Sequence, residues 1–275
     1  MAEVSLADIK ALRERLGTGM VDTKNALVEA EGDIEKAVEI LRLKGAKGNA
    51  KRADRSTSEG LVAAVESATA VTLIELACET DFVAKNEKFG ALAQRVLQAL
   101  ADSGAETLDA ALAAPAEGGT VQSIIEEQAA TIGEKVELRR VARIPGEHFA
   151  IYLHQTSKDL PPQIGVVVAY TGADADTARS IAQHISFADP QYLSRDDVPP
   201  TAVENEKRIV EEITRNEGKP EAALPKIVEG RLGAFYKQVA LAEQEYARDN
   251  SKTVGQVVKE AGIAVTGFAR FKVGA

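Results

Sequence analysis

The first 45 residues contain three short stretches in which apolar residues recur at helical spacing. Polar residues suited to capping precede the first and third stretches, and a glycine follows each of these two. We therefore predict helices from Ser5 to Gly17, from Met20 to Ala30 and from Asp33 to Gly45. Three helices in residues 1–45 indicate a small helical bundle.

A basic segment, residues 46–58, follows without apolar periodicity. It contains Lys47, Lys51, Arg52 and Arg55, and Lys44 lies just before it. This composition favours a solvated linker or a loosely helical tail. An arm that contacts RNA is the alternative at this point.

From residue 59 the apolar period becomes that of strands. Runs at 60–66 and 70–78 predict a β-hairpin. The sequence ETDFVAKN, residues 79–86, then predicts a loop, and its last residue, Asn86, is a good cap for an amphipathic helix. A helix at 121–132 and a strand beginning near 134 complete a first α+β unit, residues 59–147.

The remainder of the chain repeats part of this pattern and adds two further segments. Residues 148–198 contain two strands and a helix, so a weak internal duplication predicts two related α+β subdomains. Charged helical stretches at 203–215 and 227–246 predict a helical hairpin within residues 199–248. Residues 249–275 predict a helix and a final strand that completes a sheet. The predicted fold class is α+β.

Composition narrows the classes of function. The chain of 275 residues is 45% apolar and 27% charged, with a formal net charge of -9, which disfavours nonspecific nucleic-acid binding. Because no apolar stretch is long enough to span a membrane and the start lacks the apolar core of a signal peptide, we expect a cytoplasmic protein. One cysteine and three histidines indicate neither an internal disulfide nor a zinc site, and we expect no cofactor and no metal.

No familiar catalytic motif occurs in the sequence. Cys78 lies in an apolar strand, which favours a buried structural thiol over a nucleophile. Glu75, Glu79 and Asp81 share strand parity, so we interpret them as a solvated strand face. A carboxylate pair for acid–base chemistry is the alternative, and it requires perturbed pKa values.

The segment Thr80–Val83 places an aromatic residue and a valine between a strand and a capped helix, where loops normally carry polar residues. Two interpretations of Phe82 remain equal at this point. Its side chain either folds under the helix as part of the core or protrudes together with Asp81 into a partner.

Several segments, in order and over nearly the whole chain, resemble bacterial translation elongation factor Ts. They are LRERLGTGMVD, GDIEKAVEILRLKG, ETDFVAKN, TIGEKVELRR, KIVEGRL, SKTVGQVVKE and VTGFARFKVG. The resemblance implies a ubiquitin-associated-like N-terminal domain, a core of two related α+β subdomains and an inserted coiled-coil hairpin. It also implies a guanine nucleotide exchange factor that promotes GDP release from elongation factor Tu and carries out no covalent chemistry.

The resemblance further implies which residues contact the partner. Thr80, Asp81, Phe82 and Val83 would enter the GTPase domain and dislodge its Mg²⁺, and Arg13, Met20 and Val21 would grip the same domain. The core contacts implied are Ile132, Gly133 and His154. We expect no catalytic residue, no membrane contact and no specific nucleic acid, and a homodimer stays open.

Overall fold

Within residues 4–275, which a computed structural model describes, two three-stranded antiparallel sheets lie face to face. The strands are β1 (Glu59–Glu66), β2 (Ala70–Cys78), β3 (Pro115–Ala116), β4 (Gly119–Thr120), β5 (Val136–Pro145), β6 (His148–His154), β7 (Ile164–Thr171), β8 (Glu245–Tyr246), β9 (Asp249–Thr253) and β10 (Ala264–Lys272). The first sheet has the order β1-β2-β5 and the second the order β10-β7-β6. The final strand therefore does complete a sheet, as its sequence predicted.

Helices occur along the whole described chain, and some pack on the sheets whereas others pack mainly on other helices. They are α1 (Leu6–Leu16), α2 (Met20–Glu29), α3 (Ile34–Arg52), α4 (Asp81–Ala84), α5 (Glu87–Ser103), α6 (Leu108–Ala113), α7 (Val121–Ile132), α8 (Ala175–Ala188), α9 (Pro200–Asn216), α10 (Leu224–Val239) and α11 (Val254–Glu260). The chain is thus an α+β protein with an N-terminal helical region. The relationship between the two sheet-containing subdomains stays a prediction.

Strand β2 is buried along its whole length because it is covered on both faces. Ile74 and Leu76 pack with α5 and α7, whereas Leu73, on the opposite face, packs against the second sheet. Gly165 of β7 permits the close approach of the sheets, since a Cβ there would lie 3.0 Å from a methyl carbon of Leu73. This arrangement explains the nearly continuous apolar run in the sequence of β2.

The predicted helix caps are confirmed. The side chain of Ser5 accepts a hydrogen bond from Asp8 N–H, Asp33 caps α3, and Asn86 caps α5. Gly17 ends α1 with a φ of 68°, in the left-handed region that glycine adopts readily. Local capping chemistry therefore located these helix starts correctly.

The prediction that the third helix ends at Gly45 is wrong. Helix α3 continues to Arg52, so most of the residues we expected to form a basic linker are helical. Gly45 serves packing instead, because a Cβ at that position would lie 2.7 Å from Cβ of Ala130 in α7. The side-chain amide of Asn49 also donates to the carbonyl oxygen of Glu126 at 2.8 Å, so α3 is fastened along α7.

Helices α9 and α10 pack against each other, and residues 217–223 join them. The second helix ends at Val239, earlier than the predicted Tyr246. The chain leaves the helix there because Leu241 and Tyr246 are buried in the core of the second sheet. Pro225 lies in the first turn of α10, where its missing N–H is tolerated.

None of the helices in the described part of the chain is long and apolar enough to span a membrane.

Candidate functional site

The segment predicted as a loop, residues 79–86, contains one turn of helix, α4. Thr80 begins it, because its Oγ1 accepts a hydrogen bond from Val83 N–H at 3.4 Å. Asn86 then caps α5 directly, so two helix starts occur within seven residues. This turn, Asp81–Ala84 with its cap Thr80, is called the Phe82 turn below.

Phe82 is 81% exposed, which excludes the interpretation that it fills the core. Val83 and Ala84 point the other way and belong to the core beneath α5. Val83 is only 8% exposed, so its side chain is not available to a partner in this conformation, contrary to our expectation for it. Of the four residues predicted to contact a partner here, Phe82 and Asp81 are the ones presented to solvent.

Asp81 forms an ion pair with Lys85 one helical turn later, with 2.7 Å between Oδ2 and Nζ. The hydrogen bond from this lysine holds the pKa of Asp81 below its ordinary value. Lys85 has a raised pKa for the same reason, and Asp159 in the β6–β7 connection adds to the effect. Asp81 is therefore a carboxylate at neutral pH, and the turn presents a negative charge beside an aromatic ring.

The start of the Phe82 turn is fastened to the residue that follows Gly133. Thr80 N–H donates to Oε2 of Glu134 at 3.1 Å, and Thr80 Oγ1 donates to Oε1 of the same carboxylate at 2.7 Å. Gly133 caps the end of α7 with a φ of 85°. The structure thus brings the predicted residues Ile132 and Gly133 next to the Phe82 turn.

The same end of α7 also reaches the N-terminal bundle. Thr131 Oγ1 donates to the carbonyl oxygen of Leu16 at 3.2 Å, at the turn that joins α1 and α2. The three residues predicted for the bundle are Arg13, Met20 and Val21, and all are exposed on either side of this turn. Val21 is 70% exposed and the adjacent Met20 is 40% exposed, so two neighbouring apolar side chains lie at the surface. Residues 131–134 therefore join two of the predicted contact groups.

His154 lies apart from this junction, at the end of β6 in the second sheet. It is half-buried, and its Nδ1 lies 3.0 Å from the hydroxyl oxygen of Tyr152. The resemblance implied His154 as a contact, but His154 ends β6 of the second sheet, whereas the Phe82 turn follows β2 of the first sheet.

We predicted that Glu75 lies on a solvated strand face, and this prediction is wrong. Glu75 is completely buried between the two sheets, where Arg139 and Arg140 lie 3.6 and 2.5 Å from its carboxylate oxygens. Gly274 N–H donates to the same carboxylate at 3.2 Å, so Glu75 also holds the C-terminal segment. The sequence pattern did not predict this burial, because the second sheet covers the face of the first sheet on which Glu75 lies.

Glu79 accepts a hydrogen bond from Lys135 N–H at 2.6 Å and pairs with Arg55. Burial alone would raise the pKa of Glu79, but these hydrogen bonds and the positive charge of Arg55 lower it overall. The lowered pKa values of Glu79 and Asp81 are the opposite of what a proton-donating carboxyl at neutral pH requires. The acid–base alternative therefore gains no support from this geometry.

Cys78 is buried, as predicted, and its thiol donates to the carbonyl oxygen of Thr80 at 3.3 Å. Burial raises the pKa of the Cys78 thiol to about 12, so it is not a thiolate at neutral pH. Across residues 4–275, no group of three or more His, Cys, Asp or Glu side chains is arranged to hold a metal ion.

Comparison with known proteins agrees with the resemblance found in the sequence. A sequence model of the family described as elongation factor TS matches residues 79–275. A relative from Leifsonia xyli subsp. xyli (strain CTCB07), named elongation factor Ts, is 71% identical over 276 residues and covers all of both chains. The chain belongs to the elongation factor Ts family. Members from Clavibacter sepedonicus and Beutenbergia cavernae are 68% and 58% identical, again over the full length of both chains.

The two predicted contact groups differ in which comparison covers them. The family match includes the Phe82 turn and Gly133, whereas the bundle residues Arg13, Met20 and Val21 precede it. The full-length relatives extend the similarity to the bundle.

Proposed function

We propose that this chain is the guanine nucleotide exchange factor for elongation factor Tu, and that it promotes GDP release by inserting Phe82 and Asp81 beside the nucleotide and Mg²⁺ site of that GTPase. Membership of the elongation factor Ts family supports the general role in translation elongation. The observation that carries the finer proposal is the exposure of Phe82 on a helical turn that Thr80 caps and that Val83 and Ala84 anchor in the core.

A GTPase holds GDP through a phosphate-binding loop, the N-terminus of a helix and Mg²⁺. An exchange factor must therefore bind best to a state in which those contacts are distorted, because only differential affinity can shift an equilibrium. A rigid aromatic side chain that projects from a fixed turn can stabilise such a state by filling space that the undistorted partner occupies itself. No covalent bond is made or broken, so the role is not enzymatic.

The negative charge of Asp81 complements this action. The ion pair with Lys85 keeps Asp81 ionised, and a carboxylate placed near a Mg²⁺ site can compete with the oxygen ligands that hold the metal. Phe82 and Asp81 are adjacent, so both act on one region of the partner.

One phenylalanine does not hold a complex together. Burying it contributes about 1.5 to 3 kcal/mol, far less than the roughly 12 kcal/mol of a nanomolar complex. The exposed apolar side chains of Met20 and Val21, with the charge of Arg13, provide a second contact at the other side of residues 131–133. We assign anchoring to this patch and to Ile132, Gly133 and His154. Because translation elongation in bacteria takes place in the cytoplasm, we infer that the protein acts there.

The experiment that tests the proposal is release of fluorescent GDP from elongation factor Tu, followed by stopped flow at increasing concentrations of this protein. The release rate should rise and saturate. Absence of acceleration at any concentration would contradict the proposal.

Phe187 offers a matched control for the finer proposal. It is also an exposed phenylalanine on a helix, at 66% exposure, but it lies on α8 beside the second sheet. Phe82→Ala should slow GDP release strongly, and Phe187→Ala should leave the maximal rate unchanged. Equal effects of the two variants would show that an exposed aromatic residue has no special role at the Phe82 turn.

A further inference from the structure

Beyond the end of the ladder between strands β2 and β5, two carboxylate side chains form hydrogen bonds across the two segments. The last pair of the ladder is Cys78 with Val136. One residue beyond that pair, Glu79 accepts a hydrogen bond from Lys135 N–H, and two residues beyond it Glu134 accepts one from Thr80 N–H. The two bonds are reciprocal, since each segment supplies one carboxylate and one backbone donor. We call this pair of side chains, Glu79 and Glu134 with their backbone partners, the carboxylate staple.

We propose that Glu134 is a positioning residue for nucleotide exchange, which holds the Phe82 turn in the orientation that acts on the partner. The inference rests on the proposed function of Phe82. It assigns no contact with the partner to Glu134, which acts through Thr80 and the turn that Thr80 begins.

The turn needs such a fastening because it is too short to be stable on its own. A helix of four residues, Asp81–Ala84, forms only one turn, and helix nucleation in isolation is unfavourable. Phe82 contributes almost nothing to its own placement, because most of its side chain is in solvent. The orientation of the ring must therefore come from the residues on either side of it.

Burial of Val83 and Ala84 anchors one side of the turn, but apolar contacts have little directionality. Hydrogen bonds to an ionised acceptor are short and directional. Both donors of Thr80, its N–H and its hydroxyl, point at the carboxylate of Glu134. This second bond also orients the hydroxyl so that a lone pair of Oγ1 faces Val83 N–H.

Glu134 in turn is held by its own surroundings. It follows Gly133, whose left-handed backbone ends α7, and it precedes Lys135, whose N–H is bound by Glu79. The end of α7 is also tied to the bundle through Thr131 and Leu16. The staple therefore fixes the Phe82 turn to the same rigid segment that supports the predicted contacts at Ile132 and Gly133.

Loosening the staple should reduce the fraction of molecules whose Phe82 is ready to act. An effect that needs a preformed orientation is weakened in proportion to that fraction. The loss should appear mainly in the maximal rate of GDP release, because the anchoring surfaces remain in place. The half-saturating concentration should change much less.

Glu134→Ala and Glu134→Gln test this in two measurements. The first is amide hydrogen exchange of the free protein, in which Glu134→Ala should speed exchange at residues 80–84 about tenfold or more. The second is stopped-flow GDP release from elongation factor Tu, in which the maximal rate should fall about tenfold while the half-saturating concentration shifts less than about threefold. Glu134→Gln should be intermediate, because its amide oxygen can still accept from Thr80 N–H whereas its NH₂ group faces Thr80 Oγ1 as a second donor.

Glu137→Gln is the matched control. Glu137 lies on β5 three residues after Glu134, and its carboxylate binds Thr57, Lys135 and Arg139. This variant removes a comparable charge but none of the hydrogen bonds to Thr80. It should therefore leave both hydrogen exchange at residues 80–84 and the maximal rate unchanged.

The outcomes separate the inference from the proposed function. If the unmodified protein does not accelerate GDP release, the proposed function fails and the hydrogen exchange result alone judges the staple. Unchanged hydrogen exchange in Glu134→Ala would overturn the staple. Faster hydrogen exchange with an unaltered maximal rate would overturn the positioning role, as would a loss confined to the half-saturating concentration or matched by Glu137→Gln.

Discussion

Replacing Phe82 by alanine separates a role in the fold from a role in binding. The structure predicts a small change in unfolding free energy and a large change in the rate of GDP release. The side chain is 81% exposed, so about a fifth of its burial energy is already realised in the free protein. Full burial of a phenylalanine contributes about 1.5 to 3 kcal/mol. The loss of unfolding free energy in Phe82→Ala should therefore stay below about 0.6 kcal/mol.

The exposed part of the side chain is what a partner can bury. If that burial is complete in the state from which GDP leaves, the variant loses about 1.2 to 2.4 kcal/mol of stabilisation of that state. This corresponds to GDP release slowed roughly 8- to 60-fold. Phe89, seven residues on, is completely buried on the core-facing side of α5, and Phe89→Ala should instead cost about 3 to 5 kcal/mol of folding stability.

Urea unfolding and stopped-flow release of fluorescent GDP, at saturating concentrations of each variant, give both quantities. Asp81→Ala should slow the same step, and the double variant should fall short of the product of the single effects because both side chains enter one region. A Phe82→Ala protein that is destabilised by several kcal/mol, or that releases GDP at the unaltered rate, would refute this reasoning.

Three further predictions concern other parts of the molecule. Val21→Asp, at a side chain that is 70% exposed, should raise the half-saturating concentration about tenfold and keep the maximal rate, and an unchanged concentration would contradict its role as an anchor. Glu75→Gln should lower the unfolding free energy by about 3 kcal/mol, because it removes the charge that two arginines share inside the sheet interface; urea unfolding measures this, and a loss below about 1 kcal/mol would contradict it. Burial of His184 on α8 lowers the pKa of its side chain, so near that pKa the unfolded chain binds a proton that the folded protein does not. The unfolding free energy should therefore fall as the pH drops below about 6.5. His184→Asn should flatten that pH dependence in urea titrations.

Local chemistry was enough to predict most helix starts, the hairpin of β1 and β2, and the two strands β6 and β7. A side-chain cap such as Ser5 or Asn86 acts within three residues, so its signal is complete in the sequence. The alternation of the strands is equally local. Contacts between distant segments account for the errors.

Gly45 and Glu75 illustrate those errors. A glycine after an apolar stretch usually ends a helix, but Gly45 stays helical because α7 approaches it closely. Glu75 has the spacing of an outward-facing strand residue, and only the second sheet, formed by β10, β7 and β6, makes that face an interior one. Neither of these tertiary contacts can be predicted from the neighbouring sequence.

The candidate site shows the same division. Phe82 stood out in the sequence because an aromatic residue between a strand and a capped helix is unusual, and the structure decides in favour of its exposure. Glu134 carried no comparable signal, because its partner Thr80 lies 54 residues earlier in the chain. The contact between Glu134 and the Phe82 turn therefore follows from the tertiary fold and not from the neighbouring sequence.

The central claim, that this protein exchanges nucleotide by favouring a distorted GTPase, is tested most directly by its affinities for two states of elongation factor Tu. Isothermal titration should give tighter binding to the nucleotide-free form than to the GDP-bound form. Thermodynamic linkage requires the ratio of the two affinities to equal the factor by which this protein weakens GDP binding. Equal affinities for the nucleotide-free and GDP-bound forms would contradict the account.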